Sequence, residues 1–187
     1  MKVLGIMGSP RLGGNTDLLL DEALNGAASR GAETEKITIA NLKIAPCREI
    51  YACVKDGLCP IKDDMTGIYE KLVKADAIIA ATPIFFYTVS AQLAAFISRC
   101  QALWSRRYVL NRDIPSKKGA FIAVAATKGL KLFDGPKLTI RYFFKAINAE
   151  YTEELLIRGV DKKGEIKQHP TALKDAFELG RRLAAAD

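Results

Sequence analysis

Gly8-Ser9-Pro10-Arg11-Leu12-Gly13-Gly14-Asn15-Thr16 connects an apolar run, Lys2 to Ser9, to a stretch with helical spacing that begins at Asn15 and carries Leu20, Ala23, Leu24 and Ala27 on one stripe. An apolar run without alternation is a strand covered on both faces, and such strands belong to parallel sheets. The turn therefore lies where a buried strand feeds a helix. Its glycines let the backbone approach an anion closely, the first helical N–H groups point at it, and Ser9, Asn15 and Thr16 add side-chain hydrogen bonds. The shape suits a monophosphate; the alternative is a polar turn with an Asn or Thr helix cap.

Three better-known turns fail on residues. A Walker loop ends in Gly-Lys-Ser/Thr, whereas this one ends in Gly14-Asn15-Thr16. The spacing from Gly8 to Gly14 does not match the dinucleotide fingerprint. A nucleophile elbow around Ser9 needs glycines where Met7 and Arg11 stand.

Outward from the turn, strands and helices alternate. Helix one, with Asp17 favourably placed in its first turn, is expected to end near Gly31. Glu35 to Ala40 alternates polar residues with Ile37 and Ile39, as a half-exposed edge strand does. Residues 46–62 read as a loop, and Asp63-Asp64 caps a helix bearing Met65, Ile68, Leu72 and Val73. Ala77 to Thr82 is a second buried strand, stopped by Pro83. Ser90 caps one continuous helix reaching Trp104, Gly119 to Thr127 is a further buried strand, and Lys137 to Asn148 is helical. Thr152 to Arg158 is the last strand, and Leu173 to Leu183 the closing helix.

This alternation implies right-handed crossovers and an α/β three-layer sandwich around a five-stranded parallel sheet in the order 2-1-3-4-5. The 187 residues, 49% apolar and 26% charged, suit a single globular domain over 1–187 with a cysteine-bearing loop at 46–62. Ligands of such sheets bind beyond the carboxyl ends of the strands, where the winding reverses. That places the site on Ser9 to Thr16, Thr82 to Ser90, and Thr127 to Asp134.

The net charge of +7 is spread along the chain, which reads as a solvated surface attractive to anionic cofactors and not as a nucleic-acid face. The start does not read as a signal peptide, so none is expected, and no apolar run approaches the roughly 20 residues a membrane helix needs. The expected location is the cytoplasm, with no membrane partner. In such a reducing compartment Cys47, Cys53, Cys59 and Cys100 point to metal, redox chemistry or burial before disulfides.

Gly8-Ser9-Pro10-Arg11 with Gly14-Asn15-Thr16, Asp63-Asp64-Met65, Ala81-Thr82-Pro83-Ile84-Phe85-Phe86 and Gln92 to Arg99 together resemble the NAD(P)H-dependent FMN reductases of flavodoxin-like fold, nearest the iron–sulfur flavoprotein branch. The likeness runs through Arg158-Gly159-Val160-Asp161 and covers nearly the whole chain. It implies FMN held at its phosphate by Ser9, Pro10, Arg11, Gly14, Asn15 and Thr16. The ring would be lined by Thr82, Pro83, Ile84, Phe85 and Phe86, with backbone groups of Ile84 to Phe86 at its polar edge. Where the family often has tyrosine, Phe85 or Phe86 stands here, and Tyr87 is positioned to replace the hydroxyl. Thr127, Lys128 and Gly129 face the pyrimidine end, where Lys128 either stabilises the anionic reduced flavin or is a solvated lysine.

The resemblance further implies electrons drawn from NADH or NADPH and passed to a quinone, a free flavin, a metal or a redox protein, with no side chain acting as catalytic acid or base. It also implies a homodimer or homotetramer, for which Tyr142, Phe143, Phe144 and the helix ending at Trp104 are candidate contacts. A flavodoxin-type carrier without NAD(P)H turnover is the first alternative. A hydrolase built on Ser9 and the single histidine, His169, is the second. In the iron–sulfur branch four close cysteines match Cys47 to Cys59, and here Ile50 stands for the second. A cubane takes four thiolates, so a cluster-free loop is expected, with a labile cluster or a zinc completed by an outside ligand as alternatives.

Overall fold

In the computed structural model, which describes residues 1–185, Lys2–Met7 (β1), Glu33–Thr38 (β2), Ala77–Pro83 (β3), Lys117–Ala125 (β4) and Ala149–Arg158 (β5) form one sheet. All neighbours run parallel, in the order β2-β1-β3-β4-β5. This is the flavodoxin-like arrangement expected from the alternation. The three strands without polar alternation, β1, β3 and β4, occupy the interior of the sheet. The two strands richest in charged and exposed residues, β2 and β5, form its edges.

The helices are Asn15–Ala28 (α1), Cys53–Asp56 (α2), Ile68–Lys74 (α3), Ala91–Arg99 (α4), Gln101–Tyr108 (α5), Asp134–Ala146 (α6) and Ala172–Leu183 (α7). Side chains alternate across β1, so Val3 and Met7 face one layer while Leu4 and Ile6 face the other. On the first side, Leu19, Leu20 and Ala23 of α1 and Leu179 and Leu183 of α7 complete the core. On the second, Leu72, Phe96, Leu103, Phe143 and Phe144 pack over Leu4, Ile6, Ile78 and Phe121. Phe143 and Phe144 are therefore core residues, and only Tyr142 of that aromatic group is exposed.

Helices α1 and α7 touch backbone to backbone. A Cβ built on Gly26 would lie 1.9 Å from the Phe177 carbonyl oxygen, and one on Gly180 1.8 Å from that of Ala23. Only glycine at both positions permits this approach.

The helix expected from Ser90 to Trp104 divides at Cys100. Ser90 caps α4 by accepting the Leu93 N–H at 3.1 Å. At the other end the Cys100 N–H turns back to the Ile97 carbonyl at 2.9 Å, tightening the last turn. The Tyr69 hydroxyl donates to the Arg99 carbonyl at 3.1 Å and so replaces a helical partner there. Arg99 is itself fully buried. Its Nη1 donates to Asp63 Oδ2 at 2.6 Å and to the Ala45 carbonyl at 2.9 Å, and Nη2 donates to the Ile61 carbonyl at 3.0 Å. Asp63 also caps the Asp64–Gly67 turn, accepting the Met65 N–H at 3.1 Å.

Other boundaries move for local reasons. β2 ends at Thr38 because Ile39–Asn41 tightens into a 3-10 turn that buries Ile39. α6 begins at Asp134 and not Lys137, since Pro136 lies in the first turn, where its missing N–H has no helical partner to lose. The loop at 46–62 contains the short helix α2, and β5 extends back to Ala149. Among the described residues, no helix is long and apolar enough to cross a membrane.

Candidate flavin site

The chain leaves β1 toward β2 on one side and returns to β3 on the other, so the loops after β1 and β3 diverge and leave a crevice between them. Its floor is braced by buried hydroxyls. Ser90 Oγ donates to the Gly8 carbonyl, Ser90 N–H donates to Thr82 Oγ1 at 3.0 Å, and Thr82 Oγ1 donates to the Pro83 carbonyl at 2.9 Å. Gly8 N–H continues the β1–β3 ladder to the Ala81 carbonyl at 2.8 Å. A Cβ on Gly8 would lie 2.9 Å from both that carbonyl oxygen and Leu93 Cβ.

Above this brace the turn is ordered by its own backbone. Ser9 Oγ accepts the Arg11 N–H at 3.1 Å, and the Arg11 carbonyl accepts the Gly14 N–H at 3.2 Å. The first helical bond runs from Leu18 N–H to the Gly14 carbonyl, and no side chain caps α1. The N–H groups of Asn15 and Thr16 therefore precede the helical ladder and open toward the crevice with the positive end of the dipole.

A cavity of about 140 Å³ lies there, lined by Ser9, Pro10, Arg11, Gly14, Asn15 and Thr16 from the first loop and by Pro83, Ile84 and Phe85 from the second. Val124, Ala126, Val160 and Asp161 complete the lining. The donor set of helix-start N–H groups, Ser9 and Thr16 hydroxyls and the Arg11 guanidinium suits a phosphate ester. A side chain at Gly14 would start 2.9 Å from the Arg11 carbonyl oxygen and crowd the cradle, so the residues present fit the group.

Several expected residues stand elsewhere. Thr82 is wholly buried in the brace below the cavity. The Asn15 side chain clamps the segment after β5, donating to the Lys162 carbonyl at 2.9 Å and accepting the Ile166 N–H at 3.2 Å. It therefore offers the cavity its backbone N–H, with the amide already engaged. Thr127, Lys128 and Gly129 lie outside the lining. The Lys128 side chain runs along Gly159, whose built Cβ would meet Lys128 Cε at 2.7 Å, and Gly129 lies under the Tyr87 hydroxyl. Val160 and Asp161 were not anticipated, although the carboxyl-end rule applied to β5 leads to them. The Asp161 carbonyl accepts from Arg11 Nη1 at 3.2 Å and ties the two loops together.

The loop after β3 is a tight hairpin. Phe85 N–H donates to the Thr88 carbonyl at 3.1 Å and Thr88 N–H donates back at 2.9 Å, while Ile84 N–H donates to Val124 at 2.9 Å. The N–H groups of Ile84 and Phe85, expected at the edge of a ring, are thus engaged, and the loop presents apolar walls. Phe86 and Tyr87 at its tip have φ of 48° and 61°, the left-handed conformation that Asn and Gly adopt with least strain. Phe86 is also fully exposed, so Phe86→Asn is expected to raise stability by about 0.5–1 kcal/mol, read from the midpoint of urea unfolding.

A family model described as NADPH-dependent FMN reductase matches residues 1–132, which include the turn after β1 and the hairpin after β3. The chain belongs to this family. It is 37% identical over 194 aligned positions to the iron–sulfur flavoprotein MJ1083 of Methanocaldococcus jannaschii, covering 98% of this chain and 96% of that one. It is 28% identical to the putative NAD(P)H-dependent FMN-containing oxidoreductase YwqN of Bacillus subtilis, with 99% of each covered. Its fold is similar to that of an NAD(P)H:quinone oxidoreductase from Methanothermobacter marburgensis, with a TM-score of 0.76 at 16% identity, covering 100% of this chain and 98% of that one.

A reductase of this family with an iron–sulfur relative raises the question of the cysteine loop. Cys53 Sγ accepts from the Ser105 hydroxyl at 3.6 Å, Cys59 lies by the Arg99 guanidinium, and Cys100 is buried in the core. Burial pushes the Cys100 thiol well above its usual range. Ile50 is exposed and offers no ligand. Among the described residues, no three His, Cys, Asp or Glu side chains group to hold a metal ion. The three thiols of the loop, Cys47, Cys53 and Cys59, fall one short of the four thiolates a cubane takes.

Proposed function

We propose that the chain binds FMN in the crevice between the β1 and β3 loops and passes electrons from NADH or NADPH to a small acceptor such as a quinone, a free flavin, a metal or a redox protein. The observation that supports this best is the cavity joining the uncapped start of α1 to the apolar wall of Pro83, Ile84 and Phe85. Bound FMN would accept a hydride from the nicotinamide and donate electrons onward.

The residues of this chain bind and orient. Ser9, Arg11, Thr16 and the N–H groups at the helix start would hold the phosphate. Pro83, Ile84 and Phe85 would exclude water from one face of the ring, with Val124 and Ala126 below. No acid or base is required of the protein. Lys128 would act on the ring only through its charge, and the chain would assemble as a homodimer or homotetramer in the cytoplasm. His169 has a different occupation from hydrolysis: its Nδ1 accepts the Ala172 N–H at 3.1 Å and the Thr171 N–H at 3.4 Å at the start of α7.

The purified chain is expected to take up about one FMN per chain and to be bleached rapidly when mixed with NADPH or NADH. Iron and sulfide analysis after anaerobic purification should find no cluster. A colourless protein that refuses added FMN ends this reading. Flavin uptake without rapid reduction by either nucleotide would make the chain an electron carrier.

A further inference from the structure

Asp17 sets a carboxylate beside a turn that is built to attract anions. It is buried in the first turn of α1, and its Oδ2 accepts the Gly13 N–H at 2.8 Å. Gly13 has φ of 64°, so this bond holds the turn in a conformation that glycine alone adopts easily. The same bond occupies the Gly13 N–H and sets a negative charge against the turn from which α1 starts.

A lysine from the sheet edge answers that charge. Lys36 Nζ, on β2, lies 2.9 Å from Asp17 Oδ1 and 2.6 Å from Asp21 Oδ1. Burial works against the ammonium, but the hydrogen bonds to Asp21 and Asp17 outweigh it and hold Lys36 above the ordinary lysine range. The amine thus remains charged wherever the protein is folded near neutral pH. Asp17 is the more enclosed partner, its side chain 11% exposed against 29% for Lys36, so solvent screens this pair less than a surface one.

We propose that Lys36 is a positioning residue for the phosphate of FMN: it neutralises Asp17, so that this carboxylate can shape the turn without repelling the ester. The inference rests on the reading of the crevice as an FMN site. A plain staple between α1 and β2 would use the same contacts, but it would not distinguish a phosphorylated flavin from an unphosphorylated one.

FMN and riboflavin share the ring and the ribityl chain and differ in the phosphate, so the pair isolates the charge effect. Both are titrated by fluorescence quenching into the full-length chain freed of flavin. Lys36→Met is expected to weaken FMN binding about tenfold and to leave riboflavin binding within roughly twofold, as loss of the charge that offsets Asp17 would do. Adding Asp17→Asn, which keeps an oxygen for the Gly13 N–H and removes the charge, should restore FMN binding to within about threefold of the wild type. Equal losses for both flavins, an unchanged FMN affinity, or a double variant without recovery would overturn the proposal. A wild-type chain that binds no FMN overturns the site reading itself, and this inference with it.

Discussion

Gly180→Ala is expected to lower the unfolding free energy by about 3 kcal/mol or more, a larger loss than overpacking usually causes. The new methyl carbon would start 1.8 Å from the Ala23 carbonyl oxygen, whereas real Cβ contacts essentially never fall under 3.0 Å. The obstacle is backbone in the middle of α1, so no rotamer change can relieve it. α7 would have to retreat by more than 1 Å, loosening Leu179 and Leu183 from a core in which they are almost fully buried. Alanine's better helix propensity, about 1 kcal/mol, opposes the loss without matching it. Gly67→Ala is the control, because its Cβ would meet nothing within 4 Å and its φ of −76° suits any residue. Urea unfolding of the two variants tests the argument, and a Gly180→Ala protein as stable as the wild type refutes it.

Asp63→Asn is expected to cost about 3–5 kcal/mol, because it leaves the buried Arg99 guanidinium without its counter-charge. Among the described residues Arg99 Nε already finds no hydrogen-bond partner, so the site has no spare acceptor to offer. The pair also gives the fold a specific acid sensitivity. Desolvation tends to raise the Asp63 carboxyl, but the Arg99 and Ala45 hydrogen bonds outweigh it and hold the group below its ordinary value of 3.8. The unfolded chain therefore binds a proton at Asp63 before the folded one does. Its stabilisation is complete above that ordinary value and declines as pH falls through the folded value. Chemical unfolding followed from about pH 5 downward should show no change in the gap between wild type and Asn variant until pH nears 3.8, and a gap that narrows below it as the wild type loses stability the variant has already lost. Curves that stay parallel would show that Asp63 contributes no pH dependence.

The strand order was legible because strands alternate with helices, because the three continuous apolar runs suit the interior of a parallel sheet, and because Glu35 to Ala40 alternates as an edge does. The first loop was legible for a similar reason, since glycines and small hydroxyls between a strand and a helix define their own geometry. What the pattern could not carry was tertiary. The break at Cys100 depends on the Tyr69 hydroxyl, distant in sequence, taking the Arg99 carbonyl. Asn15 looked like a ligand for an anion, but its amide found the segment around Lys162 and Ile166 instead. Lys36 carried no local signal, because its importance lies in reaching across from β2 to the foot of α1.

The glycine contact at Gly26 also bears on how the cavity meets its ligand. α1 begins at the turn from Ser9 to Thr16 and, within its length of about 21 Å, is notched against α7 near its far end. A helix keyed in this way cannot slide along its axis like a piston, because a shift of one residue would drive a side chain into the partner's backbone. An anion bound at the turn would therefore meet a fixed anvil, and any give on ligand entry would fall to the hairpin opposite, where Phe86 at the tip is fully exposed.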